Sequence, residues 1–282
     1  EDLVYIQELF SRIEQEKNTL FLYDKFFEKI KDFFVFKKNY FVFSSREEIK
    51  DKVDIMLSLG GDGTLLDTRP FVVDTNIAVL GINLGHLGFL TTVGRKEIKN
   101  LIKEIENKNY HIETRPLLKA FYKERPQEVI GYAINEVCFR TKTIEGMVDI
   151  DVFVDDKYLT TYTSDGLLVA TPTGSTAYSL SCGGPIITPN ARCLCLTPIA
   201  PHTLTLRPII IPQEARVEAN IKKDIKEMVM ILDSQQIDLS FSNNIIVTTS
   251  SYKLNLIRMN NQDFFSAIRN KLMWGTNIKN KQ

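Results

Sequence analysis

The stretch Leu57-Ser58-Leu59-Gly60-Gly61-Asp62-Gly63-Thr64-Leu65-Leu66 decides the fold of this chain. The apolar run 53–59 that leads into it predicts a buried strand, and Leu65-Leu66 predicts the start of a helix. The three glycines between them leave the turn almost bare of side chains, so its backbone N–H groups can approach a phosphate. Asp62 carries the functional side chain of the turn, and two interpretations of it remain open. It can deprotonate a hydroxyl that attacks a phosphate, or it can cap a helix that begins after a tight glycine turn.

The chain around this stretch alternates strands and helices. An apolar run at Ile77–Ile82 predicts a second strand, and Glu97–Glu106 shows the apolar stripe of a helix. This alternation predicts a parallel sheet with right-handed crossovers. Ligands of such sheets bind beyond the carboxyl ends of the strands, where segments 60–64 and 83–89 both lie. The chain opens inside an amphipathic helix, whereas α/β domains usually open with a strand, so we expect the natural protein to have residues before Glu1.

From about residue 112 the pattern changes to short alternating or β-branched runs separated by turn residues, of which Val129–Arg140 is the longest. Closely spaced strands without intervening helices predict an antiparallel β domain. A helical pattern returns at Asp263–Trp274 and is followed by a basic tail. We therefore predict an α/β domain over residues 1–112 and a β-rich domain over 113–258. A C-terminal helix and tail over 259–282 should pack back on the first domain.

The composition excludes several classes of protein. Hydrophobic residues make up 44% of the 282 residues, enough to bury a sizeable core. Thirty-five basic residues balance 35 acidic ones, so there is no electrostatic case for a nucleic-acid partner. No apolar run approaches the roughly 18 residues of a spanning helix, and the first residues lack a signal-peptide pattern, so we expect no membrane partner. The three histidines and four cysteines include no C-x-x-C pair, which predicts no zinc site and free thiols in a reducing cytoplasm.

A second cluster of small polar residues interrupts the β pattern at 165–186. Pro172 and Gly174 should end a strand there, and Ser175 or Thr176 can then cap a short helix. Such a helix presents N–H groups, hydroxyls and an aromatic ring, which suit the phosphate, ribose and ring face of a nucleotide. A serine- and threonine-rich turn without a ligand explains the same composition.

Five segments taken together resemble NAD kinases of the bacterial type. They are Gly60–Thr64, Asn83–Leu90, Asn135-Glu136, Thr171–Ile186 and Thr197–Pro208. The glycine-rich motif alone also occurs in variant form in lipid kinases and phosphofructokinases, but the order and spacing of all five segments are specific. The resemblance extends from Leu3 to Trp274, almost the whole chain.

This resemblance implies that the protein phosphorylates the 2′-hydroxyl of the adenosine ribose of NAD with ATP, giving NADP. It implies that Asp62 is the base for that hydroxyl. Because the acidic loop cannot neutralise the phosphates, we expect Mg²⁺ or another divalent cation, held mostly by the nucleotide phosphates. The resemblance also implies a homodimer or homotetramer. Asp233-Ser234-Gln235 stands where the family has an Asp-Gly-Gln turn. The residues that the resemblance assigns to nucleotide binding are Gly61, Gly63, Thr64, Phe89, Asn135, Glu136, Asp165, Thr173, Thr176, Ala177, Tyr178, Ser181, Ala200 and Gln235.

Motifs that the sequence lacks narrow the chemistry but leave alternatives. There is no G-x-x-x-x-G-K-[ST] loop and no protein-kinase H-R-D motif, so the phosphate site must be formed by residues 60–64 and their neighbours. No G-x-G-x-x-G follows a strand, which argues against a dehydrogenase. A lipid or sphingoid-base kinase and a catalytically idle NAD-binding protein remain alternatives. Taken alone, Asn135 and Glu136 could also be solvent-facing strand residues. Because the candidate contacts come from both predicted domains, we expect NAD to bind in the crevice between them.

Overall fold

The computed structural model of the protein describes residues 2–15, 18–37, 39–85, 88–142, 146–224, 227–239, 241–260 and 263–275. The chain forms two compact units. One comprises Glu1–Thr114 and Leu254–Gln282, and the other comprises Arg115–Lys253. Two features of the sequence, His86-Leu87 in the segment 83–90 and most of the basic C-terminal tail, lie outside the described residues.

The first unit begins with alternating helices and strands. In chain order these are α1 (Asp2–Gln15), β1 (Leu20–Tyr23), α2 (Asp24–Ile30), β2 (Tyr40–Phe43), α3 (Arg46–Ile49), β3 (Ile55–Leu59), α4 (Asp62–Leu66), α5 (Arg69–Val72), β4 (Ala78–Asn83), β5 (Val93–Gly94), a 3-10 turn (Arg95–Glu97), α6 (Ile98–Glu106) and the first part of β6 (Tyr110–Tyr122).

The second unit consists mainly of strands, and the chain then returns to the first unit. After β6 come β7 (Val129–Ala133), β8 (Glu136–Thr141), β9 (Val148–Val154), β10 (Lys157–Ser164), β11 (Gly166–Ala170), a 3-10 turn (Thr173–Thr176), α7 (Tyr178–Ser181), β12 (Cys193–Ile199), β13 (Ile209–Pro212), β14 (Val217–Ile221), β15 (Met228–Leu232), β16 (Gln235–Asp238), β17 (Asn244–Met259) and α8 (Phe264–Leu272).

Parallel pairing in the first unit confirms the α/β prediction. Strand β4, buried along its whole length, pairs in parallel with β3, with β5 and with the end of β17. Strands β1 and β2 form a separate two-stranded parallel sheet. The core contains α1 and α6, which bury Leu9 and Leu101, together with the apolar residues of β4. An amphipathic helix stabilises such a sheet by burying its apolar stripe against it.

The second unit is antiparallel, as predicted. One sheet has the strand order β13-β12-β11-β8-β15-β16. Strands β9, β10, β14 and the first part of β17 pair antiparallel in another sheet. Inward side chains of both sheets, such as Phe139 and Val217, share one hydrophobic core. This is the arrangement of a β-sandwich, in which alternate residues of each strand face the interior.

Two details at the ends of elements bear on the site. The run Val129–Arg140, predicted as one strand, is two strands separated at Ile134 and Asn135. The C-terminal helix α8 packs back on the first unit, as predicted, and its Phe264 ring lies 6.2 Å from the ring of Phe89.

Among the described helices, none has the length and apolar character needed to cross a membrane.

Candidate active site

The glycine-rich turn lies where β3 ends and α4 begins. The N–H of Gly60 donates to the carbonyl of Ile82 at 2.9 Å, which ties the turn to the carboxyl end of β4. Gly60 has φ +153°, and a side chain there would meet Oγ1 of Thr64 at 2.3 Å, so the position requires glycine. Asp62 is the first residue of α4, but its carboxylate bonds to the distant segment 89–91. The interpretation of Asp62 as a cap of its own helix is therefore wrong.

Four donors among the described residues orient the carboxylate of Asp62. Its Oδ1 accepts the N–H of Leu90 (3.2 Å), the N–H of Thr91 (2.9 Å) and the hydroxyl of Thr91 (2.7 Å). Its Oδ2 accepts the N–H of Phe89 at 2.7 Å. Because a carboxylate oxygen offers about two lone-pair positions, Oδ1 is saturated, whereas among the described residues Oδ2 keeps one position for a further donor. Oδ2 is therefore the oxygen that can receive a proton from an incoming hydroxyl.

A buried arginine holds the other side of the segment 89–91. Arg258, in β17, donates to the carbonyl of Leu90 (2.9 Å) and to the carbonyl of Phe89 (3.1 Å), and its Nε donates to Glu113 (2.9 Å). The amides of the segment therefore bind Asp62 while two of its carbonyls bind Arg258. Pairing with Glu113 also offsets the free energy of burying the charge of Arg258, a residue that is 7% exposed.

Asn83 at the end of β4 sets the direction of the Thr91 hydroxyl. Its Nδ2 donates to Oγ1 of Thr91 at 2.8 Å, and its Oδ1 accepts the N–H of Gly85 at 2.8 Å. The Thr91 hydroxyl accepts one hydrogen bond from Asn83 and donates its own proton to Asp62. No site role was predicted for Asn83, Thr91 or Arg258, although Asn83 begins the segment 83–89 expected beyond the end of the strand. Polar residues beside or within buried apolar strands were the signal that could have found them.

A carboxylate in the second unit fixes a loop in a similar way. Asp233, at the β15–β16 turn with φ +57°, accepts the N–H groups of Ile134 (2.9 Å), Asn135 (2.7 Å) and Glu136 (3.3 Å). The carbonyls of Ile134 and Asn135 accept the hydroxyl of Thr171 (2.7 Å) and its N–H (2.8 Å). These hydrogen bonds satisfy the backbone groups of the loop in place of strand pairing. The strand is therefore interrupted between β7 and β8.

Glu136 is a buried carboxyl at the end of this loop. It is 6% exposed and Asn135 is 8% exposed, so the alternative of solvent-facing strand residues is wrong. Burial, followed by the nearby charge of Asp233, raises the pKa of Glu136 to about 8, although a hydrogen bond from the Tyr178 amide acts against this shift. Its Oε2 has no hydrogen-bond partner in the part of the chain that the structure describes. Glu136 is therefore largely a neutral acid at pH 7, with one buried oxygen left without a partner among the described residues.

Buried hydroxyls stabilise the small polar cluster 165–186 from within. The hydroxyl of Ser175 donates to the carbonyl of Pro172 (2.7 Å) and accepts the N–H of Ile187 (3.0 Å), while Ser179 shares a hydrogen bond with Thr197 (2.9 Å). The predicted helix α7 is present, but Ala177 occupies its N-cap position without a side-chain bond. The prediction that Ser175 or Thr176 caps it is wrong, because the Ser175 hydroxyl is used inside the turn and that of Thr176 donates to the Thr173 carbonyl.

The residues of this cluster that the family resemblance assigns to nucleotide binding differ in their exposure to solvent. Thr176 and Ala177 are half-buried, and Tyr178 and Ser181 are exposed. Thr173 is buried, and its hydroxyl oxygen has no hydrogen-bond partner among the described residues. Accessible residues therefore lie between and after the buried Ser175 and Ser179, so part of the cluster is available to a ligand.

The candidate contacts in the second unit lie at two ends of one sheet. Glu136 pairs with Ala170 at one end of β11. At the other end, the N–H of Asp165 donates to the carbonyl of Ile199, so Asp165 lies beside Ala200. The length of β11 separates the two ends by about 14 Å at the usual rise per strand residue. A single small group cannot contact both ends, whereas different parts of an extended ligand can.

Models of both domains of one protein family match the chain. The ATP-NAD kinase N-terminal domain matches residues 12–110, and the ATP-NAD kinase C-terminal domain matches residues 134–259. The chain belongs to the NAD kinase family. The resemblance seen in the sequence is confirmed, and the family consists of kinases rather than dehydrogenases.

Curated relatives agree with this family over almost the full length. The chain is 34% identical to an NAD kinase of Christiangramia forsetii over 278 residues, covering 98% of this chain and 95% of the relative. It is 36% identical to an NAD kinase of Porphyromonas gingivalis over 233 residues, covering 83% and 80% of the two chains.

Solved structures extend the similarity to the fold. Yeast NADH kinase, crystallised with NADH, has a TM-score of 0.86 and 26% identity, with 99% of this chain and 85% of that chain covered. An NAD kinase from Archaeoglobus fulgidus in complex with ATP has a TM-score of 0.68 and 24% identity, with 90% and 98% covered. At 24% identity, the similarity to the archaeal enzyme supports a shared fold and nothing further.

Proposed function

We propose that this chain catalyses transfer of the γ-phosphoryl group of ATP to the 2′-hydroxyl of the adenosine ribose of NAD, giving NADP and ADP. The observation that carries this proposal is the carboxylate of Asp62, which four donors orient and whose Oδ2 keeps an acceptor position in the part of the chain that the structure describes. It lies beyond the carboxyl end of β3, where parallel sheets bind ligands. The family assignment and the names of the relatives support this reaction over a lipid or sphingoid-base kinase.

The reaction depends on where Asp62 holds the attacking oxygen. Oδ2 accepts a hydrogen bond from the 2′-hydroxyl and takes its proton as the oxygen bonds to the γ-phosphorus. The bond from that phosphorus to the ADP oxygen breaks, and its electron pair leaves with ADP. Because this transition state is loose, alignment contributes more than base strength. We assign Gly61, Gly63, Thr64 and Phe89 to contacts with the bound nucleotide beside Asp62.

We assign the second unit to the recognition of NAD. The unpartnered polar atoms of Glu136 and Thr173 are suited to sugar hydroxyls or amide groups. Since Asp165 and Ala200 lie at the far end of β11, they would contact a different part of the dinucleotide. The full set comprises Asn135, Glu136, Asp165, Thr173, Thr176, Ala177, Tyr178, Ser181, Ala200 and Gln235.

The divalent cation enters, in this proposal, with the nucleotide. The described residues include no group of three or more His, Cys, Asp or Glu side chains suited to a metal ion, so we assign no protein ligand to it. Mg²⁺ bound to the phosphates of ATP neutralises part of their charge.

We further propose a cytoplasmic enzyme that works as a homodimer or homotetramer, without nucleic-acid or membrane partners. The four cysteines are all free thiols, which suits a reducing compartment. Edge strands of the antiparallel sheets could pair between subunits. Light scattering after size exclusion would give the mass of the assembly, and a monomer would contradict this part.

The test of the reaction is a coupled assay for NADP with the full chain, NAD, ATP and MgCl₂. An NADP-specific dehydrogenase reports the product, and Asp62→Asn is the matched variant. We expect NADP from the wild type, and a loss of turnover on the order of 10²–10⁴ in the variant while NAD binding is retained. Tight NAD binding without NADP would favour the idle binding protein, and phosphate transfer to a sphingoid base would favour the lipid kinase. Undiminished turnover by Asp62→Asn would remove Asp62 from the catalytic role.

A further inference from the structure

The C-terminal helix α8 brings an ammonium group to Asp62. The Nζ of Lys271 lies 3.8 Å from Oδ2 of Asp62 and 4.6 Å from the centre of the Phe89 ring. Two features hold the helix in place: Asp263 caps its first turn through the N–H of Ser266 (2.9 Å), and the Phe264 ring contacts that of Phe89. Lys271 is therefore positioned by its own helix and by the segment that orients Asp62.

The ammonium group of Lys271 is near the carboxylate but not bonded to it. A separation of 3.8 Å is too long for a hydrogen bond. In the described part of the chain, Lys271 has no hydrogen bond, and its side chain is 32% exposed. Its ammonium group lies over an aromatic ring, an arrangement that orients a cation without using its N–H donors. Among the described residues, all three donors are thus available to an anion that binds beside Asp62.

The charges around Asp62 favour a cation that assists phosphoryl transfer. The other described groups that contact its carboxylate are neutral amides and one hydroxyl, and the carboxylate itself repels an approaching phosphate. Within the described ranges, Lys271 is the basic side chain within 4.0 Å of that carboxylate. It lies on the Oδ2 side, where the attacking hydroxyl would bind.

We propose that Lys271 binds the γ-phosphoryl group of ATP during its transfer, an inference that rests on the proposed function. As the 2′-oxygen bonds to the γ-phosphorus, its proton passes to Oδ2 of Asp62 and the electron pair of the breaking bond leaves with ADP. The ammonium of Lys271 donates to the equatorial oxygens of the transferred group and keeps its own protons throughout. It stabilises negative charge beside the carboxylate that would otherwise oppose the transfer.

The first test removes the charge and keeps the stem. Lys271→Met retains an unbranched side chain without the ammonium group, Lys271→Arg retains the charge, and Lys99→Ala removes an exposed lysine of α6 as a control. We expect kcat for NADP formation to fall about 10- to 100-fold in Lys271→Met and less than about 10-fold in Lys271→Arg, with Lys99→Ala within about 2-fold of the wild type. The dissociation constant of NAD should stay within about 2-fold. Wild-type turnover by Lys271→Met would overturn the inference.

The second test separates phosphate contact from mere support of Asp62. In the Asp62→Asn background, where the ion pair is gone, Lys271→Met should weaken ATP binding about 5-fold or more and AMP binding by less than about 2-fold. Equal affinities for ATP with and without Lys271→Met would mean that Lys271 only positions the carboxylate, and the inference would fail. Lys271→Gln serves as a second charge-free variant if Lys271→Met lowers the unfolding temperature. A wild type that forms no NADP would sink the proposed function, whereas activity insensitive to residue 271 would sink this inference alone.

Discussion

Thr91 donates two hydrogen bonds to the same oxygen of Asp62. Its N–H lies 2.9 Å and its hydroxyl oxygen 2.7 Å from Oδ1. This double contact fixes the rotation of the carboxylate, since one residue supplies two donors from a completely buried position. The free acceptor position therefore falls on Oδ2, the oxygen beside Lys271.

Thr91→Val removes the hydroxyl but keeps the β-branched shape. The Asn83 amide then loses the acceptor that it reaches at 2.8 Å, and Asp62 loses one donor. We expect the free energy of unfolding to fall by about 1–3 kcal/mol and kcat to fall about 10-fold. Urea titrations and the NADP assay measure the two effects. Thr114→Val, at an exposed strand position, is the control, and equal behaviour of both variants would contradict the role of Thr91.

Gly88→Ala tests the close approach of the backbone to Asp62. A Cβ at this position would lie 1.6 Å from Oδ1 of Asp62 and 2.4 Å from Oγ1 of Thr91, so the carboxylate must move. Because a displacement of about 1 Å can lower turnover on the order of 10²-fold, we expect a loss of that size with NAD affinity retained. Gly85→Ala is the matched control, since its Cβ would meet Asn83 at an ordinary 3.6 Å. Unchanged turnover in Gly88→Ala would show that the orientation of Asp62 does not limit the reaction.

Asp233→Asn tests the carboxylate that holds the loop at residues 134–136. Asparagine tolerates the φ of +57°, but one of its two acceptor oxygens becomes a donor facing backbone N–H groups. We expect a loss of about 1–3 kcal/mol in unfolding free energy and weaker NAD binding. Calorimetric titration and chemical denaturation measure these quantities. Asp238→Asn removes an exposed carboxylate that pairs with Lys142, and its effect should stay below about 1 kcal/mol.

Glu136→Gln tests the raised pKa of the buried carboxyl. In the unfolded chain this group loses its proton near its ordinary value of 4.5, whereas in the folded protein it does so at about 8. The folded state therefore binds more protons between these values, so the contribution of Glu136 to stability is lost as the pH rises through that window. A glutamine stays neutral and avoids this loss. We expect Glu136→Gln to gain stability relative to the wild type from pH 5 to pH 8, by roughly a kcal/mol per pH unit. Unfolding curves at pH 5, 6.5 and 8 that differ by a constant amount would contradict the assignment.

Local pattern was sufficient for the fold class and for the position of the glycine-rich turn. Strand β3 occupies Ile55–Leu59 within the run predicted from its apolar residues, and α8 lies within the predicted Asp263–Trp274. The spacing of apolar residues shows which face of a short segment must be buried, and turn residues show where the segment ends. Helices and strands can therefore be predicted without knowing which other segments they pack against. The break at Ile134-Asn135 was missed because its amides bond to Asp233, about a hundred residues away.

The sequence by itself determined the parallel and antiparallel parts of the chain, the turn that carries Asp62 and the family to which the chain belongs. Only the tertiary structure decided the partners of that carboxylate, which lie 27 to 29 residues further along the chain. It also decided the contact of Arg258 with Leu90, across 168 residues, and the approach of Lys271 to Oδ2. The physical reason is that side-chain periodicity is set by neighbours in sequence, whereas hydrogen bonds between distant segments exist only once the buried strands and helices have packed.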